Sequence, residues 1–278
     1  MGAPGGRPGR QRGVRAVAVR LRVVTYNIHR AIGVDRRFRP ERIVEILRHH
    51  AGDVVLLQEV DEGAPRSREI DLGRSLAHAL DYPHVAVGHN VTLRKGRYGN
   101  ATLSRFPILR ERNIDLTIGN RKRRGCQHTT LLPLPDGPPL EVFNLHLGLS
   151  AWERAAQVEL LVGSSEFADM ALDGPCLVGG DFNDWRSRLR SVFTDGLGFR
   201  CATDLRSGQQ PPIATYPAFS PRGGLDRVYH RGGLRLAAAH RCRLYVSRVA
   251  SDHLPVVVDF ELAAAAAAPA AERPAMLG

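Results

Sequence analysis

The chain has 278 residues, 43% of them hydrophobic and 24% charged, a balance that buries a core and excludes a disordered chain. No apolar run reaches the ~18–20 residues that cross a bilayer as a helix. The four cysteines, Cys126, Cys176, Cys201 and Cys242, lie far apart with no C-x-x-C pair, so neither a zinc site nor a disulfide framework is expected, and reduced thiols in the cytoplasm are. A net charge of +11 favours anionic partners (nucleic acid, a phospholipid surface or a small phosphate ester) without choosing among them.

Residues 1–19 read as a flexible basic arm, rich in Gly and Pro, in which Arg7, Arg10, Arg12 and Arg15 meet no acid. The arm lacks the apolar core of a secretion signal, and Gly6 is wrong for myristoylation. The β-branched and aromatic stretch 20–28 predicts a strand. Pro40 opens a helix with Ile43, Ile46 and Leu47 on one face. Residues 54–57 read as a buried strand ending in Gln58 and Glu59, and 69–80 as a helix that turns Leu72, Leu76, Ala79 and Leu80 inward. Strands are expected at 84–87, 100–104, 109–116 and 127–134, then a hairpin turn at Asp136 and Gly137 returning through 140–147. Ser150 and Glu153 form a capping box, which predicts a helix to about residue 170 burying Ala155, Val158, Leu161 and Val162. Cys176, Leu177 and Val178 make a short buried strand closed by Gly179 and Gly180. Residues 185–214 show little pattern, strands resume at 225–229, 234–246 and 254–262, and 263–278 is an alanine-rich tail. Helices alternate with strands in two stretches, each followed by a run of strands with tight turns, so one α/β domain over 20–262 is expected, with two packed sheets and helices outside.

Polar side chains recur at the ends of these strands: Asn27 and His29, Glu59, Asn144 and His146, Asp181 and Asn183, Asp226, and Asp252 with His253. Strand ends on one rim of a sheet share a cleft, where ligands of α/β folds bind. Acids gathered there repel one another unless a cation neutralises them. Carboxylate and amide oxygens are hard ligands, which suits Mg²⁺ or Mn²⁺ rather than zinc. Asp181 and Asn183, two apart in extended backbone, face the same way. Asp181 suits a base that orients a water, while histidines and Asn183 suit the phosphate charge. Asp226 with His253 reads as a dyad that keeps the imidazole cationic.

The series TYNIH (25–29), QEV (58–60), YGNATLSRFPI (98–108), NLHLG (144–148), GGDFND (179–184), LDRVY (225–229) and SDHLPV (251–256) resembles the endonuclease/exonuclease/phosphatase superfamily, the DNase I-like fold, over 20–262. The resemblance implies a four-layer α/β–β/α sandwich of two mostly antiparallel sheets with helices on the outer faces. It also implies Mg²⁺-dependent phosphoester hydrolysis, with Mn²⁺ as a substitute. In that pattern Asn27 and Glu59 match metal-binding positions and Asp252 an acid near the metal. His146 matches a phosphate-contacting histidine, Asp181 the residue that orients or deprotonates water, Asn183 its transition-state partner, and Asp226 the acid paired with His253. Tyr98, Asn100 and Arg124 match substrate contacts, although the basic run 121–124 by itself reads as a solvated face. The chain departs from the abasic-site endonucleases after its first strand (HRAI at 29–32) and from the inositol 5-phosphatases after Asp181 (FNDW at 182–185). It is most similar to a broad bacterial group marked by HLGLS (146–150) and GDFNDWR (180–186), motifs that fix no substrate. Nucleic acid and phospholipid headgroups are both open as substrates; low aromatic content, 6%, gives few stacking platforms and counts mildly against single strands, and a phospholipid or small phosphate ester rather than nucleic acid is an alternative within the enzyme reading. The alternative is a non-catalytic binding module that keeps the fold.

Overall fold

Along the central strands, successive residues enter two different apolar layers. The computed structural model describes residues 18–171, 173–204 and 211–263; most of the arm and of the tail lies outside them. In β1 (Ala18–Asn27), Leu21 and Val23 point between two sheets, whereas Val24 and Tyr26 point at helices. β2 (Val54–Glu62) repeats this, with Val54 and Leu56 inward and Val55 and Leu57 outward. A near-continuous apolar run is what a strand buried on both faces requires.

The first sheet adds β3 (His84–Thr92), β4 (Arg97–Ser104), β11 (Leu234–Arg241) and β12 (Val256–Ala263), in the order β11-β12-β1-β2-β4-β3. The second holds β5 (Ile108–Asp115), β6 (Gly125–Leu131), β7 (Leu140–His146), β8 (Cys176–Asp181), β9 (Arg200–Cys201) and β10 (Asp226–Arg231), in the order β5-β6-β7-β8-β10-β9. Outside the first sheet lie α1 (Pro40–His50), α2 (Leu72–Ala79) and α5 (Ser247–Ala250); outside the second lie α3 (Ala151–Val162) and α4 (Ser165–Ala168). This is the expected four-layer sandwich. Each sheet contains one parallel pair, β1 with β2 and β7 with β8, among antiparallel neighbours. A parallel pair delivers the ends of both strands to the same rim. β10 starts at that rim, since Asp226 pairs with Asp181, and β12 starts there too, since Val256 pairs with Thr25.

One rung below the rim, amides tie the sheets together. The Gln58 amide donates to Asn144 Oδ1 at 2.8 Å and to Thr25 Oγ1 at 3.3 Å. Asn144 Nδ2 donates to Leu57 O and Ala101 O, and Asn100 Nδ2 to Asn144 O and Gly125 O. Thr102 donates to Gln127 Oε1 at 2.7 Å. Such a buried network fixes one stacking of the sheets, because a shifted arrangement would strand several more polar groups beside Gln58 Oε1, which has no partner.

Several expected boundaries move. β1 and β12 run past the expected ends of the domain, Ala18 pairing with Ala263. α2 is shorter than 69–80 because Asp71 caps it, accepting from Arg74 N, and Ala79 is exposed. α3 stops at Gly163, and it buries Glu153, Arg154 and Gln157 while leaving Ala155 exposed. Only half of the capping box forms: Ser150 Oγ accepts from Glu153 N, but the Glu153 carboxylate accepts from Gln157. The turn at Gly137 belongs to a longer β6–β7 connection, since Leu131 pairs with Leu140. The strand expected over 234–246 ends at Arg241, and α5 follows.

Gly180 tests the close approach of β7 and β8. Its φ is +137°, and a Cβ there would lie 2.0 Å from Leu145 O. Gly180→Ala is expected to lower unfolding free energy by at least ~3 kcal/mol. Gly196→Ala, whose Cβ meets nothing within 4 Å, should stay within about 0.5 kcal/mol of the parent. Urea unfolding midpoints compare the two.

Candidate active site

β8 is buried along its whole length and presents Asp181 at the rim, 1% exposed. Its Oδ1 accepts from Asn183 N at 2.9 Å, and its Oδ2 from Asn27 Nδ2 at 3.1 Å. Two imidazoles face the same Oδ2, His146 Nε2 at 3.5 Å and His253 Nε2 at 3.7 Å. Asn183 adopts a left-handed φ of +50°, which closes the turn onto Asp181, and its amide donates to Leu147 O at 2.9 Å. Three segments distant in sequence, with the turn that follows β8, thus converge on one carboxylate.

The two histidines are in opposite charge states. Burial alone would lower the pKa of His253, but Asp226 and Asp181 overcome it and push it up to about 10. His253 Nδ1 donates to Asp226 Oδ2 at 2.9 Å, and Thr215 Oγ1 donates to the same oxygen. Burial drives His146 well below its ordinary value, reinforced by Arg124, His253, Lys122 and Arg30. His146 is therefore neutral and His253 cationic at neutral pH. Burial also lifts Asp181 to about 6, a rise that His253 opposes and Asp226 reinforces.

Asp181, Asp226 and His253 bring ligand-competent atoms within 4.8 Å of one another, but there the imidazolium already supplies the countercharge. Glu59 is different. A bulge opens the β2–β4 ladder between Leu57 and Val60, and Glu59 takes a φ of +57°. Bulges of this kind re-aim a side chain out of the ladder. Glu59 Oε2 is closed off from solvent without a hydrogen-bond donor, and the Arg30 guanidinium faces it at 3.5 Å. A buried carboxylate oxygen lacking a donor fits a cation site. Asn27 lies beside this segment, pairing with Gln58, and its Oδ1 accepts from His29 N at 3.1 Å. Asp252, next to His253, is half-buried, with His29 Nδ1 4.0 Å from its carboxylate.

The substrate candidates divide. Asn100 is turned away from the mouth, both amide hydrogens engaged on backbone carbonyls between the sheets. Asn144 is structural in the same way. Tyr98 is 6% exposed, with Arg66 and Lys122 over its ring at 5.2 and 5.5 Å. Residues 121–123 are exposed as a charge run would be, but Arg124 turns inward, 7% exposed, with an Nε that has no partner and a charge felt by His146.

Residues 24–253 match the model of the Endonuclease/Exonuclease/phosphatase family. The chain belongs to that family. It is 30% identical over 254 residues to the uncharacterized protein YbhP of Escherichia coli K12, covering 87% of this chain and 96% of that one. The family member from Beutenbergia cavernae superposes with a TM-score of 0.73 at 24% identity, over 90% of this chain and 73% of that one. The 2′,3′-cyclic phosphatase ANGEL2, solved with adenosine-2′,3′-vanadate, gives 0.68 at 18% identity, over 88% and 96%. The four-layer sandwich expected from the sequence is the fold of these two solved structures.

Four residues around the family site escaped the sequence reading. Thr215 holds Asp226, and the Tyr216 ring packs 4.9 Å from His253. Ser251 Oγ donates to Asn27 O at 2.7 Å and accepts from His253 N at 3.2 Å. Arg30 faces Glu59. Thr215 and Tyr216 follow the unpatterned stretch 185–214, where nothing local marks them. Arg30 directly follows the TYNIH motif, which was a usable signal.

In metal-free protein, ¹⁵N-edited NMR should find His253 as imidazolium up to about pH 10 and His146 neutral well below its ordinary 6.5. A raised pKa favours the folded state fully below the ordinary 6.5, and that contribution fades as pH climbs through about 10. Asp226→Asn should return His253 toward its ordinary value and flatten this part of the stability profile.

Proposed function

We propose that the protein is a Mg²⁺-dependent hydrolase of phosphoester bonds, with Mn²⁺ able to substitute, and that Asp181 holds and deprotonates the attacking water. The observation that carries this reading is the environment of Asp181 Oδ2: one amide donor, one neutral imidazole and one imidazolium face a single buried carboxylate oxygen. Lifted to about 6, Asp181 is mostly ionised at neutral pH yet basic enough to take a proton from water as attack begins. His253, kept cationic by Asp226, stabilises charge developing on the phosphoryl oxygens, and neutral His146 and the Asn183 amide offer hydrogen bonds at the same place.

Glu59, Asn27 and Asp252 are the residues that would hold the cation. When bound, a divalent ion there neutralises phosphoryl oxygens and polarises the phosphorus–oxygen bond. Arg124, buried with an unpartnered Nε near His146, suits a substrate phosphate oxygen. Family membership supports phosphoester chemistry; the substrate class proposed is a phospholipid headgroup or small phosphate ester rather than nucleic acid. No described helix is long and apolar enough to cross a membrane, and a cytoplasmic location is proposed from the reduced cysteines.

Stripping with EDTA should abolish hydrolysis of bis-p-nitrophenyl phosphate, and added Mg²⁺ should restore it. Asp181→Asn and His253→Ala are each expected to lower kcat by ~10²–10⁴-fold without loss of fold. Glu59→Gln should raise the Mg²⁺ concentration needed for half-maximal rate. No turnover of this ester or of plasmid DNA, RNA, sphingomyelin and inositol phosphates, with or without metal, would instead establish a binding module.

A further inference from the structure

We infer that the rim surrounding Asp181 docks onto an anionic phospholipid bilayer. Large apolar side chains exposed to water are concentrated there. Among the described residues the four most exposed are Tyr245 (80%), Leu149 (77%), Phe219 (69%) and Trp152 (64%). Three sit on loops at the rim, and Trp152 sits in the first turn of the helix that begins there. Leu149 and Trp152 follow β7 at the start of α3, Phe219 precedes β10, and Tyr245 precedes β12. The strand register puts these four places together: His146 and Asp226 both pair with Asp181, and Val256 pairs with Thr25.

Trp185, 55% exposed, joins them after β8. It lies over Gly223, where a Cβ would come within 2.6 Å of its ring. Its edge contacts Tyr216, which in turn packs on His253. The apolar rim is thus continuous with the wall of the site. At the far end of the sheets, exposed apolar groups are fewer; Leu109 at 57% is the largest.

Scattered exposed apolar residues need no explanation, but their segregation to one face marks an interaction surface. Exposed arginines lie among them, Arg186, Arg222 and Arg248. Apolar tips set among cations match a membrane interface, where tips enter the acyl boundary and guanidinium groups meet anionic headgroups. Trp and Tyr favour that boundary. Leu149 decides against a nucleic acid: the second most exposed of these side chains has no ring to stack on a base. Docking uses none of the groups assigned to hydrolysis, so it stands or falls separately from the phosphoester reading.

Both tryptophans of the chain, Trp152 and Trp185, are on this rim, so their fluorescence reports docking directly. The full chain is titrated with vesicles of equal phosphatidylglycerol and phosphatidylcholine. Tryptophan emission should shift to the blue and be quenched by brominated acyl chains, with weaker partition onto phosphatidylcholine alone and at high salt. The double variant Leu149→Ser/Phe219→Ser keeps both reporters, and should lose about tenfold or more in partition with an unchanged melting midpoint. Leu109→Ser should bind as the parent does. Asp181→Asn should bind normally while losing turnover, which separates docking from catalysis. Vesicle binding that leaves the tryptophans in water, as attachment through the basic arm alone would, overturns the inference. So does equal partition of the double variant, or a tryptophan response to single-stranded DNA and none to vesicles.

Discussion

Taking the Asp181 carboxylate out of water costs several kcal/mol unless donors and opposite charge replace the hydration. The protein supplies both from three distant segments and from the turn beside Asp181 itself. Asn27 comes from β1, His146 from β7, Asn183 from the turn after β8, and His253 from the loop before β12. Asp226 makes the arrangement asymmetric by reaching only His253. Two imidazoles beside one carboxylate therefore differ in charge, one able to donate as a neutral group and the other able to hold negative charge. Without Asp226, His253 would lose the largest of the contributions that hold its proton against burial.

Left-handed or otherwise unusual backbone also occurs at three of the site's segments. Glu59, Asn183 and Gly180 have φ values of +57°, +50° and +137°, and two of them carry side chains that L residues rarely support there. Each departure has a local purpose: the bulge releases Glu59 from the ladder, the turn brings Asn183 N onto Asp181, and Gly180 lets β8 approach β7. The amide layer beneath, Gln58 with Asn144, holds the sheets in the register that keeps these departures in place. Core packing on both sides of each sheet then opposes relaxation.

The chemistry and the surface share a rim for a topological reason. Both parallel pairs end there, and the next antiparallel strands begin there. Loops are freest to vary at such ends, so one edge of the sandwich carries the polar cluster, the cationic fringe and the exposed aromatic tips together.

Much of this was legible from residue order alone. The spacing of Ile43, Ile46 and Leu47 identified the buried face of α1, Pro40 identified its start, and doubly apolar runs identified the central strands. The strand-end residues Asn27, Glu59, His146, Asp181, Asp226 and His253 all stand out in the sequence as polar groups closing apolar strands. Sequence could not say how deep each one sits. Period-two alternation assigns a face, so Asn144 and His146 look equivalent, as do Thr25 and Asn27. Only the pairing of distant strands decides that the first of each pair lies in the amide layer and the second at the mouth. The same pairing sends Asn100 into the interior, turns Arg124 inward from a charged run, and separates the protonation states of two histidines. Depth and field are sums over groups from the whole chain, so they exist only once tertiary structure has brought those groups together.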